Sequence, residues 1–248
     1  MNAAAYDGSF SGFIFKKAVD FMKKRRVLTK SQYMALSDEE RAKSFMVSGY
    51  EALTVLQQFS DKLAEAVEQG KTGRDFLEEM NTFLEDGGYE LLNPWRSDVI
   101  FRTNVQTAYN AGHYQSMTQP ETLRLLPYWQ YKTAYDENVR PEHAAMHNAV
   151  YRADDPVWDI WYPPNGFRCR CTVVAKSRAQ VEREGLTVRT MPPRTVDYST
   201  GEIIDIHPDK GFSMNPAKEV YRPDLSNISR PLKAIYRRRK DTDARGHF

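Results

Sequence analysis

Long apolar runs are missing from this chain. No window approaches the roughly 18 consecutive apolar residues that a membrane-spanning helix needs, so the sequence is expected not to cross a bilayer. Cysteine is nearly missing as well. Two thiols separated by one residue, Cys169 and Cys171, cannot form the disulfide framework of a small secreted domain. The opening MNAAAYDGSFSGF lacks a basic region followed by an apolar stretch, and a reducing, cytosolic origin is expected. A large excess of either charge is also absent. The formal net charge of +2 does not argue for nucleic acid by itself, because such binding needs Lys and Arg clustered on one surface. Internal repeats and low-complexity segments are not found either.

What is present describes a folded protein. The 248 residues, 41% hydrophobic and 27% charged, sit near the globular average and suffice for one large or two modest domains with a core that needs no staples. Phe15 to Arg26 reads as a short basic helix. Ser37 and Glu40 have the spacing of a capping box, in which hydroxyl and carboxylate satisfy backbone donors reciprocally. Met46, Tyr50, Leu53, Leu56, Leu63 and Val67 follow mostly at spacings of three and four, which predicts one long helix up to Gly70. Thr72 opens the next helix, with Phe76, Met80 and Phe83-Leu84 inward and Gly87-Gly88 at its end. Asn93-Pro94 signals a further helix to about Met117.

Near residue 120 the chain turns aromatic, proline-rich and period-two. Strands are expected over 125–135 and 167–174, a short helix from Pro141 to about Val150, and a hairpin over 196–206 turning at Ser199-Thr200-Gly201. From Lys218 to Phe248 nine Lys/Arg stand against four Asp/Glu. The reading is an α+β protein: an N-terminal helical array over residues 1–120, a small mixed α/β module over 121–216, and a basic C-terminal tail over 217–248.

Residues able to carry chemistry gather between Trp129 and Cys171. His143 and His147 are four apart, on one face of a helix that Pro141 would open, and Cys169 and Cys171 are two apart, on one face of a strand. Two such pairs can close a tetrahedral Cys2His2 site for zinc, which makes His143, His147, Cys169 and Cys171 the candidate metal ligands. The plainer reading makes the cysteines small hydrophobes alternating with Arg168, Arg170 and Thr172, and makes one histidine a partly buried ring hydrogen-bonded to a carbonyl or to Asp136. A third reading takes one thiolate as nucleophile, a histidine as base, Asp136 or Glu142 orienting it, and Arg168 and Arg170 lowering the thiol pKa. Trp158 and Trp161 are expected to cover the core, Pro163-Pro164-Asn165-Gly166 to deliver the following strand at a fixed angle, and Asp154-Asp155 to cap the next element.

The string Asp136-x3-Arg140-Pro141-x-His143, Asp154-Asp155-Pro156-x-Trp158 and Pro163-Pro164-Asn165-Gly166-Phe167-x-Cys169-Arg170-Cys171 resembles the phage Mu F-like minor head proteins of tailed bacteriophages, also called phage head morphogenesis proteins. Phe15 to Lys24, Trp95 to Gly112 with Thr103-Asn104, Gly211-Phe212 and Asn215-Pro216 are similar to the family's remaining motifs, so the likeness covers nearly the whole chain. One departure is Asn148, where glycine would be expected after the short helix. The resemblance implies a low-copy procapsid component near the portal vertex that helps the head assemble and supports DNA packaging or delivery, located in the virion and, during assembly, in the host cytoplasm. It implies portal and coat or scaffolding proteins as partners, and it does not imply an established enzyme. Some relatives carry an appended toxin or enzyme domain, for which this chain is expected to have no length beyond its tail. The alternative from the residues themselves is a metal- or cysteine-dependent hydrolase or nuclease acting during packaging or ejection. The basic tail is a candidate for non-specific contact with DNA phosphates.

Overall fold

The computed structural model describes residues 8–218 except positions 192 and 198; the side chains of 8–15 and 38–39 are outside the described set. The basic tail, from residue 219 onward, and the Phe15 side chain therefore lie outside the described residues.

The chain begins with α1 (Gly8–Lys24), which buries Ala18, Val19 and Met22. It continues through β1 (Arg26–Val27), α2 (Lys30–Met34), α3 (Asp38–Ala42) and β2 (Ser44–Phe45). Ser37 heads α3 through the expected capping box with Glu40, but that helix stops at Ala42 and does not run on to Gly70. The reason is tertiary. Ser44-Phe45 pair in parallel with Arg26-Val27, Phe45, Val47 and Tyr50 are drawn into the core, and Gly49 adopts φ 89°, outside the helical region. Pairing and burial here override the local spacing of Met46 and Tyr50.

The apolar stripe belongs to α4 (Leu53–Gln69), where Val55, Leu56, Phe59, Leu63 and Val67 are buried and Gly70 closes the helix at φ 69°. Next, α5 (Gly73–Asp86) starts at a capping box between Thr72 and Asp75 and buries Phe76, Met80 and Leu84. The longest helix, α6 (Pro94–Met117), starts where Asn93 accepts the Arg96 N–H at 2.8 Å, with proline in the first turn. One apolar cluster is enclosed by α1, α4, α5 and the first half of α6.

Past α6 come α7 (Pro120–Leu125), β3 (Tyr128–Lys132), α8 (Pro141–Ala145), β4 (Val150–Arg152), α9 (Val157–Ile160), β5 (Thr172–Lys176), α10 (Arg178–Arg183), β6 (Arg194–Val196) and β7 (Ile203–Asp205). The sheet order is β4-β3-β5, antiparallel throughout, with Trp129 opposite Tyr151 on one side and Ala175 on the other. β6 and β7 form the expected hairpin, Val196 opposite Ile203. The architecture is α+β, a helical N-terminal region followed by small antiparallel sheets.

A second cluster fills the module with Trp129, Tyr131, Tyr151, Trp158, Trp161 and Tyr162 around Met146, Cys169, Cys171 and Val173. Trp129 meets Trp158 at 5.6 Å and Tyr114 of α6 edge-on at 5.6 Å, so the long helix serves both clusters. Each such ring buries about 150–250 Å², a gross gain of roughly 4–6 kcal/mol at 25 cal/mol/Å² before conformational entropy is subtracted. A net hydrogen bond contributes about 1 kcal/mol. Aromatic packing is thus the main support of the module, and Trp158 and Trp161 cover the core as expected.

Three expected elements shift. The first strand is confined to Tyr128–Lys132, and Leu125 ends α7 instead. The helix opened by Pro141 is a single turn, with Met146 at its C-cap and Asn148 at φ 64°. The second strand starts at Thr172 and not at Phe167, because Arg168 sits at φ 58° and the Cys169 N–H bonds back to the Gly166 carbonyl at 3.2 Å. Both cysteines consequently lie on the loop that enters β5.

Candidate metal centre

Three of the four expected ligands meet. The ligand atoms of His143, Cys169 and Cys171 all lie within 4.8 Å of one another, and the three residues are 2%, 3% and 3% exposed. His143 projects from α8 with Nδ1 3.8 Å from Cys169 Sγ and 3.7 Å from Cys171 Sγ. Its Nε2 lies 3.2 Å from the Asn165 carbonyl oxygen, which can only accept; Nε2 therefore carries the proton and Nδ1 presents a lone pair to the sulfurs.

His147 is the correction to the four-ligand expectation. It is not in the group, because α8 ends before a second turn can bring position 147 beneath position 143, and the His147 N–H bonds to the Ala144 carbonyl, three residues back. Its ring packs on Tyr135 with centroids 4.7 Å apart. Its Nδ1 accepts the Thr133 N–H at 3.2 Å and lies 2.8 Å from the Thr133 hydroxyl, so that lone pair is already used. Burial, then the charge of Lys132, holds the His147 pKa below the ordinary histidine value.

The loop carrying the thiols is fixed from three sides. From α6, Gln106 and Asn110 both donate side-chain amide N–H groups to the Cys171 carbonyl at 3.1 Å, and the Thr103 hydroxyl accepts the Arg168 N–H at 3.0 Å. Asn110 is fully buried, and its own carbonyl accepts the Tyr162 hydroxyl at 3.1 Å. Arg170, between the cysteines, forms two hydrogen bonds of 2.5 and 2.7 Å with Asp136. Arg140 reaches the Phe167 carbonyl at 2.9 Å and Asp209 at 3.3 Å. Asn165 accepts the Tyr131 hydroxyl at 2.7 Å through its side chain while its carbonyl holds His143. Gln106 and Asn110 were not singled out in the sequence. Polar residues facing the small-residue side of a long helix were the available signal, but their target lies more than sixty positions away.

The electrostatics of the two thiols are opposite. Cys169 is held well below the ordinary thiol range, first by a hydrogen bond from the Cys171 thiol, then by the backbone N–H groups of Asn165 and Cys171. Cys171 is pushed up by that same bond and by burial. The two thiols interact strongly, so they lose their protons as a pair and not independently. A cavity of about 20 Å³ adjoins the three ligands and is lined also by Arg140, Arg168 and Arg170. That is room for one water-sized occupant. The nucleophile reading finds little support here: the thiols are buried, the cavity has no space for a substrate group, and Asp136, expected to orient the histidine, is engaged by Arg170. Asp155 lies one position ahead of the α9 N-cap, Pro156, and accepts the Val157 N–H at 2.9 Å in a local turn, while Asp154 pairs with Arg152. Neither belongs to the candidate site.

Residues 57–174 match the family described as phage Mu protein F like protein. Among curated proteins, the chain is 33% identical over 250 residues to the "Putative capsid assembly protein F" of Escherichia phage Mu, covering 86% of this chain and 56% of that protein. It is 32% identical over 187 residues to the Mu-like prophage FluMu F protein of Haemophilus influenzae, covering 67% of this chain and 45% of that protein. The chain thus spans about half the length of these curated relatives. No solved structure gives a significant match.

Proposed function

Because the chain belongs to the phage Mu protein F-like family, we propose that it is a capsid assembly protein of a tailed phage head, present in the virion and, during assembly, in the host cytoplasm. The observation that carries this reading is the 33% identity across 86% of the chain to a protein described as assembling the capsid. Among the described residues no helix is long and apolar enough to cross a membrane.

The finer reading, assembly at the portal vertex in support of DNA packaging or delivery, is supported by a groove of about 470 Å³ between the start of α6 and the loops around Phe45, Phe167 and Phe212. Its lining is mostly apolar, and Trp95 on its rim is 68% exposed. Arg25 also lines it, with a buried guanidinium whose Nε and one Nη lack hydrogen-bond partners among the described residues. Burial lowers its pKa to about 10, so it remains charged. An apolar groove with a guanidinium that lies over Phe45 and donates to Asn104, yet keeps two nitrogens unbonded among the described residues, suits a partner segment that brings one aromatic or aliphatic anchor and one carboxylate. The proposed occupant is a segment of the portal protein; coat and scaffolding subunits are the other partners of the same reading. Contact of the basic tail with packaged DNA is part of the proposal and concerns residues outside the described ones.

Co-purification of the full chain with portal, coat and scaffolding subunits over a range of salt tests this. Retention by portal protein that weakens about tenfold in Trp95→Ala, a rim substitution expected to leave the fold intact, is the expected outcome. Failure of all three subunits to retain the wild-type chain even at low salt would overturn it.

A further inference from the structure

We propose that His143, Cys169 and Cys171 bind one divalent metal ion of the zinc class, with solvent as the fourth ligand, and that this ion clasps α8 to the loop entering β5. The inference stands apart from the assembly role, since it concerns the isolated chain.

The geometry is close to what such an ion needs. With imidazole nitrogen at about 2.0–2.1 Å and thiolate sulfur at about 2.3 Å from a tetrahedral zinc, the N···S edges come to about 3.5–3.6 Å. The two observed edges are 3.7 and 3.8 Å. The ring is set in the required tautomer before any metal arrives, because the Asn165 carbonyl fixes the proton on Nε2 and leaves Nδ1 as a donor. A backbone carbonyl holding the far nitrogen is the usual outer support of a metal-bound histidine.

Charge also balances. Arg140, Arg168 and Arg170 surround the cavity, which taken alone would repel a cation. Each, however, faces a carboxylate: Arg140 meets Asp209, Arg168 meets Asp98 at 2.7 Å in a pair shared with Arg102, and Arg170 meets Asp136. Two thiolates and one divalent ion then sum to zero in a buried site. Thiol protons displaced by the ion leave to solvent as it enters. The water-sized cavity beside the ligands is the place for the fourth, non-protein ligand.

The ion would join α8 to a loop that Gln106 and Asn110 already tie to α6. Its consequence is mechanical: one coordination centre links three segments far apart in sequence. Because the aromatic cluster supports the module independently, removal of the metal is expected to loosen this corner without unfolding the chain.

Full-length protein purified without chelator should hold about one zinc per chain. Replacement by cobalt should give thiolate charge-transfer absorption in the near ultraviolet with tetrahedral visible bands. Cys169→Ser and Cys171→Ser should each diminish that absorption, His143→Ala should lower metal content at least tenfold, and His147→Ala should leave both unchanged. A chelator should lower the melting temperature by about 5–10 °C. Should the cysteine variants fail to fold, the wild-type cobalt spectrum decides alone. Folded wild-type protein with two titratable thiols, no bound metal and no charge-transfer band would overturn the proposal, as would a site that loses its metal with His147→Ala.

Discussion

Asp136 and Arg170 meet through two hydrogen bonds, 2.5 and 2.7 Å long, which tie the loop after β3 to the residue standing between the two cysteines. With Arg170 held outward, its neighbours Cys169 and Cys171 turn inward toward His143, as the alternating burial of this stretch requires. The pair matters for position more than for energy, since both side chains are more than a third exposed.

Arg170→Lys removes the planar fork while keeping the charge. The expected result is a fall in melting temperature of about 1–3 °C and faster reaction of both thiols with a soluble disulfide reagent. The Arg170 hydrogen bonds also hold the Asp136 pKa below the ordinary carboxylate value. Their contribution is therefore present above pH 4 and disappears as the solution is acidified through the depressed value. Equal thiol reactivity in wild type and Arg170→Lys at neutral pH would show that the pair does not order the cysteine loop.

His113 on α6 has a buried Nδ1 without a hydrogen-bond partner among the described residues, and burial lowers its pKa from 6.5 to about 4. The unfolded chain binds this proton at higher pH than the folded one, so stability is complete above about pH 6.5 and declines as pH falls toward 4. The expected decline is roughly 2 kcal/mol, after allowance for residual solvent access. Denaturant melts of wild type and His113→Gln at pH 7.5 and pH 4.5 check this. The variant should show the smaller pH dependence, and an identical slope in both proteins would exclude His113 as its source.

Gly166 is required by space. A Cβ there would run into the Asp209 carboxylate and approach Arg140 Nη1 to 3.2 Å, in the pair that closes the site from the C-terminal side. Gly166→Ala is expected to destabilise by about 1–3 kcal/mol, as overpacking does. Combining it with Asp209→Ala should cost less than the sum of the two single changes, because the clash has then been removed. Additive losses would place the cause elsewhere.

How much of this was legible in the sequence depends on distance along the chain. The capping box at Ser37, the helix start at Thr72, the Asn93-Pro94 start and the Gly70 stop are contacts within three or four residues, and the structure realises each of them. Asn148, the residue found where glycine was expected, occupies a positive φ that asparagine tolerates better than most residues. The length of the helix after Ser37 was not legible, since Ser44-Phe45 left it to pair with Arg26-Val27.

At the site the same division holds. Residue order and type alone carried the family, the α+β class and the four candidate donors His143, His147, Cys169 and Cys171, because these are properties of the chain. Only the tertiary structure decided that His147 stands apart, that the thiols lie on a loop ahead of the strand, and that Gln106 and Asn110 hold the Cys171 carbonyl. The physical reason is that a single helical turn sets the direction of one side chain by local hydrogen bonds. Which of several candidate donors converge depends on where separate segments come to rest against a shared aromatic core.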